Sequence, residues 1–539
     1  MLIGYVSDER YLAIGDALIE FTQADCSVAV VRSTPRGAIY ADLAPGPYRA
    51  SLCRPGYGSK SVDMIVDPAQ PYQFRLLSDC LLGYVWPKWV QSGERSEFRV
   101  HAVEPYHLSV WRYGLKKEFI HNIGWFDEHG PRATMQITPD GDYVQTGVEW
   151  NKRGYDNPHH TQFVTGPERS GLYYLQAKGE SGAFFSFPWI VAPAKPKARI
   201  AVLMATTNWN AYNNFGGRSN YIHPEGLPPA PPMNSRLDLE RYQKSGFSGF
   251  RYPNDHYPPI SFERPEVGNH IPERTQVTDP IAGRQASHLA PAEWRLLGWL
   301  EREGFAYDLY SESQLHYGQL DLDQYQVLIS SSHPEYVTIP MYDKIKSWVH
   351  HRGGRFLYLG ANGYSCVVDF PDPSAMRCLT QMMKEDETGN IVDPIDPACF
   401  ESRMHRVHQP DGELLGVTCS ALGLMTGAPY RVIAPDHWVF AGTGLAAGDL
   451  FGTASLQERC PGGASGHEMD RISRYAPPGT QLLAKGLNPE DGGAEMACYE
   501  TASGGAVFAA SSITWPASLL VDDAVSRITA NVLTRYLLP

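Results

Sequence analysis

The spacing of hydrophobic positions changes near residue 195. Before it, apolar and polar residues alternate, as at 27–32 and 97–102, between turns rich in Gly, Pro and Asp-Gly. Alternation with a period of two is typical of strands that bury one face. This part is therefore predicted to be β-sandwich-like, with a small β domain at residues 1–80 and a β-sandwich domain at 81–195. A Pro/Lys-rich linker at 192–199 marks the boundary that follows.

After the linker, short apolar runs alternate with segments of helical spacing. Predicted strands lie at 198–204, 326–332, 355–359 and 507–512, and predicted helices at 291–304, 341–350 and 522–538. Strand–helix alternation of this kind predicts a doubly wound α/β sheet. Residues 196–539 are therefore predicted to form one α/β domain. A Pro/Gly/Asn-rich insertion at 214–290, without obvious elements of its own, interrupts it and is expected to wall a binding pocket.

Charge and composition exclude several classes of protein. The 539 residues carry a net charge of −13, which argues against nucleic acid as a partner because phosphate binding needs a basic face. No apolar stretch approaches the roughly 20 residues that cross a bilayer, and the N-terminus lacks the features of a signal peptide. The nine cysteines are scattered without a Cys-x-x-Cys pair, which favours reduced thiols and a cytoplasmic protein.

Polar and titratable side chains follow three of the predicted strands. Tyr212 lies beyond the first strand, His333 and Glu335 directly after the second, and Asn362 after the third. Ligands bind beyond the carboxyl ends of strands in parallel sheets, and residues two apart on extended chain point the same way. These positions predict a metal or acid–base site. The alternative is that they are ordinary turns, rich in Asn and Gly for backbone reasons.

Other constellations are weaker. The chain has no Gly-x-Ser-x-Gly, Gly-x-x-x-x-Gly-Lys or His-Glu-x-x-His motif. Glu401, His405 and His408 would share one face if their segment is helical and could then chelate a metal, although packed or solvent-facing imidazoles are favoured. Glu335 could instead form a structural ion pair with Arg218 or Arg264.

Cys366 follows a predicted strand where glutamine-amidotransferase-like α/β domains carry a nucleophile. It lies several residues beyond Leu359, however, without the sharp Gly turn of such sites. A buried thiol is therefore the favoured interpretation, and a cysteine nucleophile on an amidotransferase-like scaffold is kept as an alternative.

Four segments together resemble the large (beta) subunit of N,N-dimethylformamidase. They lie at 207–221, 261–265, 332–336 and 353–363, and blocks at 437–442 and 466–470 fall in matching order. The likeness covers most of the chain from about residue 80. In one respect the chain departs from the family: the dimethylformamidase subunit is longer and carries an extra lectin-like β-domain, for which this chain lacks room.

The resemblance implies an iron-dependent amidohydrolase with an amidotransferase-like α/β domain. One Fe(III) ion would be held by Tyr212, Tyr252 and Glu335, with Tyr257 in reserve for Tyr252. Hard oxygen donors suit a hard cation, and two phenolates with a carboxylate would offset the ferric charge. Three protein ligands leave positions open for water and the amide oxygen.

The resemblance also implies the remaining catalytic roles. His333 would act as the general base or orient the attacking water, and Asn362 and Glu468 would bind substrate or support the site. The expected function is hydrolysis of an amide-type C–N bond in a small N-substituted amide. A homo-oligomer is expected, with room for a small second subunit. A carbohydrate-binding β-protein with a non-catalytic α/β domain is the non-enzymatic alternative.

Overall fold

The described chain is mainly β-sheet with few helices. The computed structural model describes residues 1–9, 11–127, 162–216, 219–220, 230–231, 233, 259–281, 287–379 and 391–538. Within these residues no helix has both the length and the apolar character needed to cross a membrane.

Residues 1–75 form two small sheets packed face to face. Their strands are β1 (Leu2–Ser7), β2 (Leu18–Gln23), β3 (Cys26–Arg32), β4 (Ala38–Tyr40), β5 (Gly46–Arg54), β6 (Tyr57–Val66) and β7 (Tyr72–Arg75). The sheet orders are β4-β1-β7 and β3-β2-β5-β6. Alternate residues such as Val6 and Ile19 share one core between the sheets, as the alternating pattern predicts.

A second sandwich-like pair of sheets follows. Its strands are β8 (Leu82–Trp86), β9 (Trp89–Gln91), β10 (Arg95–His101), β11 (Tyr106–Tyr113), β12 (Lys117–Phe126), β13 (Phe163–Thr165), β14 (Gly171–Gly179) and β15 (Phe184–Ala192). The orders are β13-β10-β8 and β12-β11-β14-β15-β9. Tyr173, Leu175 and Trp189 point into the core between these two sheets.

The remaining chain builds a nine-stranded mixed sheet with helices against it, together with one four-stranded sheet and three two-stranded sheets in its described part. The strands are β16 (Ile200–Met204), β17 (Ile260–Ser261), β18 (Asp308–Ser311), β19 (Val327–Ser332), β20 (Tyr336–Val337), β21 (Arg355–Gly360), β22 (Cys366–Asp372), β23 (Ala375–Cys378), β24 (Ile391–Val392), β25 (Phe400–Glu401), β26 (Val417–Cys419), β27 (Gly427–Ala428), β28 (Tyr430–Val432), β29 (Leu450–Phe451), β30 (Ser465–Gly466), β31 (Asp470–Ile472), β32 (Gln481–Gly486), β33 (Glu495–Glu500) and β34 (Ala506–Ala509). The helices are α1 (Thr206–Ala211), α2 (Ala290–Arg302), α3 (Glu312–His316), α4 (Ile339–Arg352), α5 (Arg403–Val407), α6 (Gly412–Leu415), α7 (Trp515–Ser518) and α8 (Asp523–Tyr536), with 3-10 turns at Val267–Asn269, Leu322–Gln324 and Trp438–Phe440.

Five neighbouring strands of the large sheet are parallel. The sheet order is β18-β16-β19-β21-β34-β33-β32-β28-β29, and the strands from β18 to β34 pair in parallel. In β16, Ile200 and Val202 face the core that contains α2, α7 and α8, whereas Ala201 and Leu203 face the core that contains α3 and α4. The sheet is thus covered on both faces. Because β18, the next strand of this sheet along the chain, lies on one side of β16 and β19 lies on the other, the strand order reverses between β16 and β19.

Local signals in the sequence explain where the long helices begin and end. Helix α4 is capped by Thr338, whose hydroxyl accepts from Met341 N, and it ends at Gly353 with φ of 75°. Helix α8 is capped by Asp522. The predicted helices at 291–304, 341–350 and 522–538 are confirmed within two residues at every end.

The insertion at 214–290 contains more regular structure than its sequence predicts. Strand β17 and the turn at Val267–Asn269 lie in its described part. Two buried contacts tie it to the sandwich: Lys88 Nζ lies 2.7 Å from Glu266 Oε1, and the Phe262 ring lies 5.0 Å from the Trp89 ring. The expectation of a loop without elements was therefore wrong for this part, whose order comes from contacts with distant residues.

Candidate active site

The candidate site lies where the strand order reverses. Strand β16 leads into α1, and β19, its hydrogen-bonded neighbour, leads directly to His333. Residues that follow two adjacent parallel strands emerge at the same edge of the sheet. Tyr212, which ends α1, is therefore brought to His333 and Glu335.

Two buried carboxyl groups fix the start of α1. Glu293 accepts a hydrogen bond from Ala205 N (3.1 Å), and Glu312 accepts one from Thr207 N (2.9 Å). Carboxyl groups at a helix N-terminus satisfy N–H groups that have no partner within the helix. Burial raises the pKa of Glu312 to about 8 and that of Glu293 well above its ordinary value.

The side chains predicted at the strand ends meet in one cluster. The Tyr212 hydroxyl donates to Glu335 Oε2 at 2.9 Å. His333 Nε2 lies 3.4 Å from the same oxygen and 3.1 Å from Glu468 Oε2. Asn362 Nδ2 donates to Glu468 Oε2 at 2.9 Å. Five of the six predicted site residues thus converge.

The other predicted positions cannot be placed in this cluster. Tyr252 and its reserve Tyr257 lie outside the described residues, as does Arg218. The same holds for Phe247 and Phe250, two apolar residues of the insertion that was expected to wall the pocket.

Left-handed backbone surrounds the cluster. Ser332 (φ 60°), Asn362 (φ 47°) and His467 (φ 69°) all have positive φ, which costs non-glycine residues energy unless surrounding contacts hold them. Ser332 and His467 turn the chain directly before His333 and Glu468, and Asn362 is itself a member of the cluster. Strain of this kind concentrates at functional sites.

Asp470 holds the Asn362 turn in place. Its Oδ1 accepts from Asn362 N at 2.8 Å, and its Oδ2 accepts from the Tyr358 hydroxyl at 2.9 Å. Gly363 N donates to the same hydroxyl at 2.7 Å. Burial raises the pKa of Asp470 to about 7, against the effect of these hydrogen bonds.

The carboxylates set the charge of His333. Burial alone would lower the pKa of this imidazole, but Glu468 and Glu335 outweigh burial and raise it. For Glu468, burial alone would raise the pKa, and the neighbouring His333 holds it below its ordinary range instead. The imidazolium form of His333 is therefore stabilised by two neighbouring carboxylates.

Sequence reasoning missed His288. The centre of this buried imidazole ring lies 4.6 Å from the ring centre of Tyr212, 5.5 Å from that of His333 and 5.2 Å from that of His467. Asn208 Nδ2, from α1, donates to its carbonyl at 3.3 Å. Its position just before α2 was the only signal in the sequence, because its neighbours in the cluster are distant in the chain.

Two weaker interpretations from the sequence do not match the structure. Arg264 is buried and its guanidinium donates to the carbonyls of Asn213 and Phe215, so the alternative ion pair of Arg264 with Glu335 is not formed. His408 Nε2 lies 2.6 Å from Asp343, whereas His405 lies 3.3 Å from Glu401. A Glu401, His405 and His408 chelate does not form, because Glu401 lies in β25 and α5 ends before His408, which agrees with the favoured interpretation of packed or solvent-facing imidazoles.

The donor set at the cluster suits an oxygen-bound metal ion. Tyr212 Oη and Glu335 Oε2 lie 2.9 Å apart. Two oxygens on one six-coordinate ion have about this separation when each bond is roughly 2.0–2.1 Å. No group of three or more His, Cys, Asp or Glu side chains arranged to hold a metal occurs in the described part of the chain. A phenolate and a carboxylate are thus the donors on which a metal site here would depend.

Comparison with known proteins identifies the family. Residues 110–527 match the family model described as N,N-dimethylformamidase beta subunit-like, C-terminal. The chain belongs to this family. All five converging side chains lie inside the part that matches the family.

Two curated relatives are similar over about two thirds of the chain. The N,N-dimethylformamidase beta subunits of Paracoccus aminophilus and of an Alcaligenes species are each 27% identical, over 423 and 421 residues. These alignments cover 68% of this chain and 52% of each relative, so the chain spans about half the length of the family members it matches. Among solved structures, a β-galactosidase from Rahnella sp. R3 matches with 13% sequence identity and a TM-score of 0.28. The match covers 48% of this chain and 29% of the β-galactosidase chain, and it is too weak to inform the fold.

Proposed function

We propose that the chain is an iron-dependent hydrolase that cleaves an amide-type C–N bond in an N-substituted or formamide-like amide. The observation that carries the proposal is the convergence of Tyr212 and His333 on Glu335, within a chain of the dimethylformamidase beta subunit-like family. The parallel strand order with its reversal at the site supports an amidotransferase-like α/β scaffold, at residues 196–539, behind two β domains at 1–80 and 81–195.

The proposed metal is a single Fe(III) ion. Tyr212 and Glu335 would hold it, with Tyr252 as the third ligand. When bound, ferric iron would polarise the amide carbonyl and stabilise the negative charge that develops on its oxygen. Both described donors are oxygens, which matches the preference of a hard cation.

His333 is proposed to move the proton. Its imidazole takes a proton from the attacking water, whose oxygen bonds to the carbonyl carbon. The same proton then goes to the amine nitrogen as the C–N bond breaks, giving a carboxylic acid and an amine. Glu468, 3.1 Å away, and Glu335 stabilise the imidazolium between these two transfers, much as a carboxylate does in a catalytic triad.

Asn362 is proposed to keep Glu468 in position. Its amide donates to Glu468 Oε2, the oxygen nearest to His333, and the left-handed turn at Asn362 is held by Asp470. A fixed carboxylate prepares the charge environment before substrate binds, so less reorganisation is needed during the reaction.

The partners are proposals as well. We expect a small-molecule substrate, a homo-oligomer and a small second subunit, because the relatives are named as beta subunits. A cytoplasmic location fits the nine cysteines, none of which forms a disulfide in the described part of the chain.

The test is metal analysis, a visible spectrum and hydrolysis assays on the purified protein. Roughly one iron per chain with a tyrosinate-to-iron absorption band, together with release of amine from N-substituted amides, supports the proposal. Stoichiometric zinc without a visible band, or no hydrolysis of any such amide by the iron-loaded protein, contradicts it.

The cysteine-nucleophile alternative is less well supported. Cys366 is fully buried, and burial raises the pKa of its thiol well above the ordinary value. Nucleophilic cysteines need a thiolate and access to substrate. This alternative would be favoured if iron-free protein were active and a thiol-blocking reagent inactivated it. The carbohydrate-binding alternative would be favoured if the protein bound glycans and contained no iron.

A further inference from the structure

Cys366 contacts Glu335 through both its main chain and its side chain. The Cys366 N–H donates to the Glu335 carbonyl at 2.9 Å, where β20 and β22 run parallel. Cys366 Sγ lies 3.4 Å from Glu335 Oε1. In this contact the thiol donates to the carboxyl oxygen.

The two oxygens of Glu335 face different partners. Oε2 accepts from Tyr212 and lies near His333, while Oε1 accepts from the thiol. A carboxylate held at one oxygen has a fixed rotation about its last side-chain bond. The contact with the thiol therefore restricts the directions in which Oε2 can point.

The thiol is itself held in place. Arg403 Nη1, from α5, lies 3.5 Å from Cys366 Sγ. The start of α5 is tied to the same segment, since Met404 N donates to the Ser365 carbonyl at 2.8 Å. With no exposed surface, Cys366 has no solvent-facing position into which its side chain could turn.

We propose that Cys366 is a positioning residue that orients the Glu335 carboxylate toward Tyr212. This inference rests on the proposed function, because it assigns Cys366 a role toward the proposed iron ligand. Residues that hydrogen-bond to metal ligands commonly change metal affinity by about 10- to 100-fold when they are replaced. Cys366 is thus a support for the site and takes no covalent part in the reaction.

The first test compares ferric iron affinity among variants by competition with a chelator, together with the position of the visible band. Cys366→Ala removes the donor and should weaken iron binding by about 10- to 100-fold. Cys366→Ser keeps a donor and should recover much of that loss. Cys498→Ala is the matched control, because Cys498 is also buried but its thiol contacts His437. Equal iron affinity and an unchanged band in Cys366→Ala and Cys498→Ala would overturn the inference.

A second measurement works without metal. The infrared S–H stretching band of Cys366 is identified as the band that is lost in Cys366→Ala, and its position should be that of a hydrogen-bonded thiol. In Glu335→Gln this band should move toward the position of a free thiol, because an amide oxygen accepts more weakly than a carboxylate. An unmoved band would contradict the contact. If wild type binds no iron and yet the band moves, the proposed function fails while the contact between Cys366 and Glu335 stands.

Discussion

Tyr212 and Glu335 are 123 positions apart in the chain, yet the hydroxyl of one donates to the carboxylate of the other at 2.9 Å. Neither residue belongs to the strands that bring them together. Tyr212 follows a short helix and Glu335 follows a left-handed residue, so their meeting depends on the pairing of β16 with β19.

Replacing Tyr212 by Phe should remove the visible absorption band and abolish turnover while leaving the fold intact. The band requires a tyrosinate bound to ferric iron, and Phe has no oxygen to bind it. Visible and circular dichroism spectra check both parts. Tyr113→Phe is the control, because the Tyr113 hydroxyl accepts from Gln176 in the sandwich. A band that survives in Tyr212→Phe would remove Tyr212 from the proposed ligand set.

Replacing His333 by Ala should lower kcat on the order of 10²-fold or more, the usual size of general acid–base assistance. Iron should stay bound, since the proposed ligands are untouched. Kinetics and metal content are measured on the same sample. Loss of iron together with activity would mean that His333 is a ligand, and the role proposed above would be wrong.

Two substitutions at Asn362 separate its amide from its backbone. Both Asn362→Ala and Asn362→Gly lose the hydrogen bond to Glu468, worth about 1.5–3 kcal/mol, so kcat/KM should fall roughly 10- to 150-fold in each. Of the two replacements, only Ala is strained at a φ of 47°. The free energy of unfolding of Asn362→Ala, measured with urea, should therefore be about 1–2 kcal/mol lower than that of Asn362→Gly. Unequal activities with equal stabilities would contradict both halves of this assignment.

His101 should make the protein less stable in mild acid. This buried imidazole donates to the Ser78 carbonyl, and burial lowers its pKa to about 4. The unfolded chain therefore binds a proton below about pH 6.5 that the folded protein binds only near pH 4, and stability falls as pH falls through this window.

The His101 contribution can be isolated with one variant. Lowering the pH from 7.5 to 5 should reduce the free energy of unfolding by about 2 kcal/mol through His101 in wild type. This reduction should be absent in His101→Gln, whose side chain keeps a hydrogen-bond donor but does not titrate. Urea unfolding at both pH values measures it. An identical pH dependence in the two proteins would exclude His101 as a source.

The ion pair of Lys88 with Glu266 should be costly to break from one side. Both side chains are nearly fully buried, and removing one leaves an uncompensated charge, which costs about 3–5 kcal/mol. Lys88→Met should therefore lower the melting temperature clearly, and the double variant Lys88→Met, Glu266→Leu should recover most of the loss. Calorimetry compares the three proteins. A double variant no more stable than Lys88→Met would show that the hydrogen bond of Lys88 to the Arg264 carbonyl matters more.

The local sequence was enough to predict most of the secondary structure around the site and the positions of His333 and Glu335. The apolar run that ends at Ser332 predicts both β19 and the exit of His333 and Glu335 from the sheet, because strand length and polarity are local properties. Helix ends are equally local, as the Thr338 cap of α4 illustrates.

The rest of the site depends on contacts between residues that are far apart in the chain. Asn362 and Glu468 are 106 positions apart, and nothing local to either specifies their hydrogen bond. The positive φ of Ser332 is imposed by packing, since serine has no preference for it. His288 and the contact of Cys366 with Glu335 became visible only when these segments were brought together.

The five-stranded sheet of the sandwich and helix α2 share one buried interface. Leu172 and Tyr174 of β14 point away from the sandwich core and pack with Trp294 of α2, whose indole donates to the Gly114 carbonyl at 2.8 Å. The match to the family begins at residue 110, inside the same sheet. A fragment that starts at the linker would expose this buried interface, so residues 196–539 should fold on another protein only if the sheet is transferred with them.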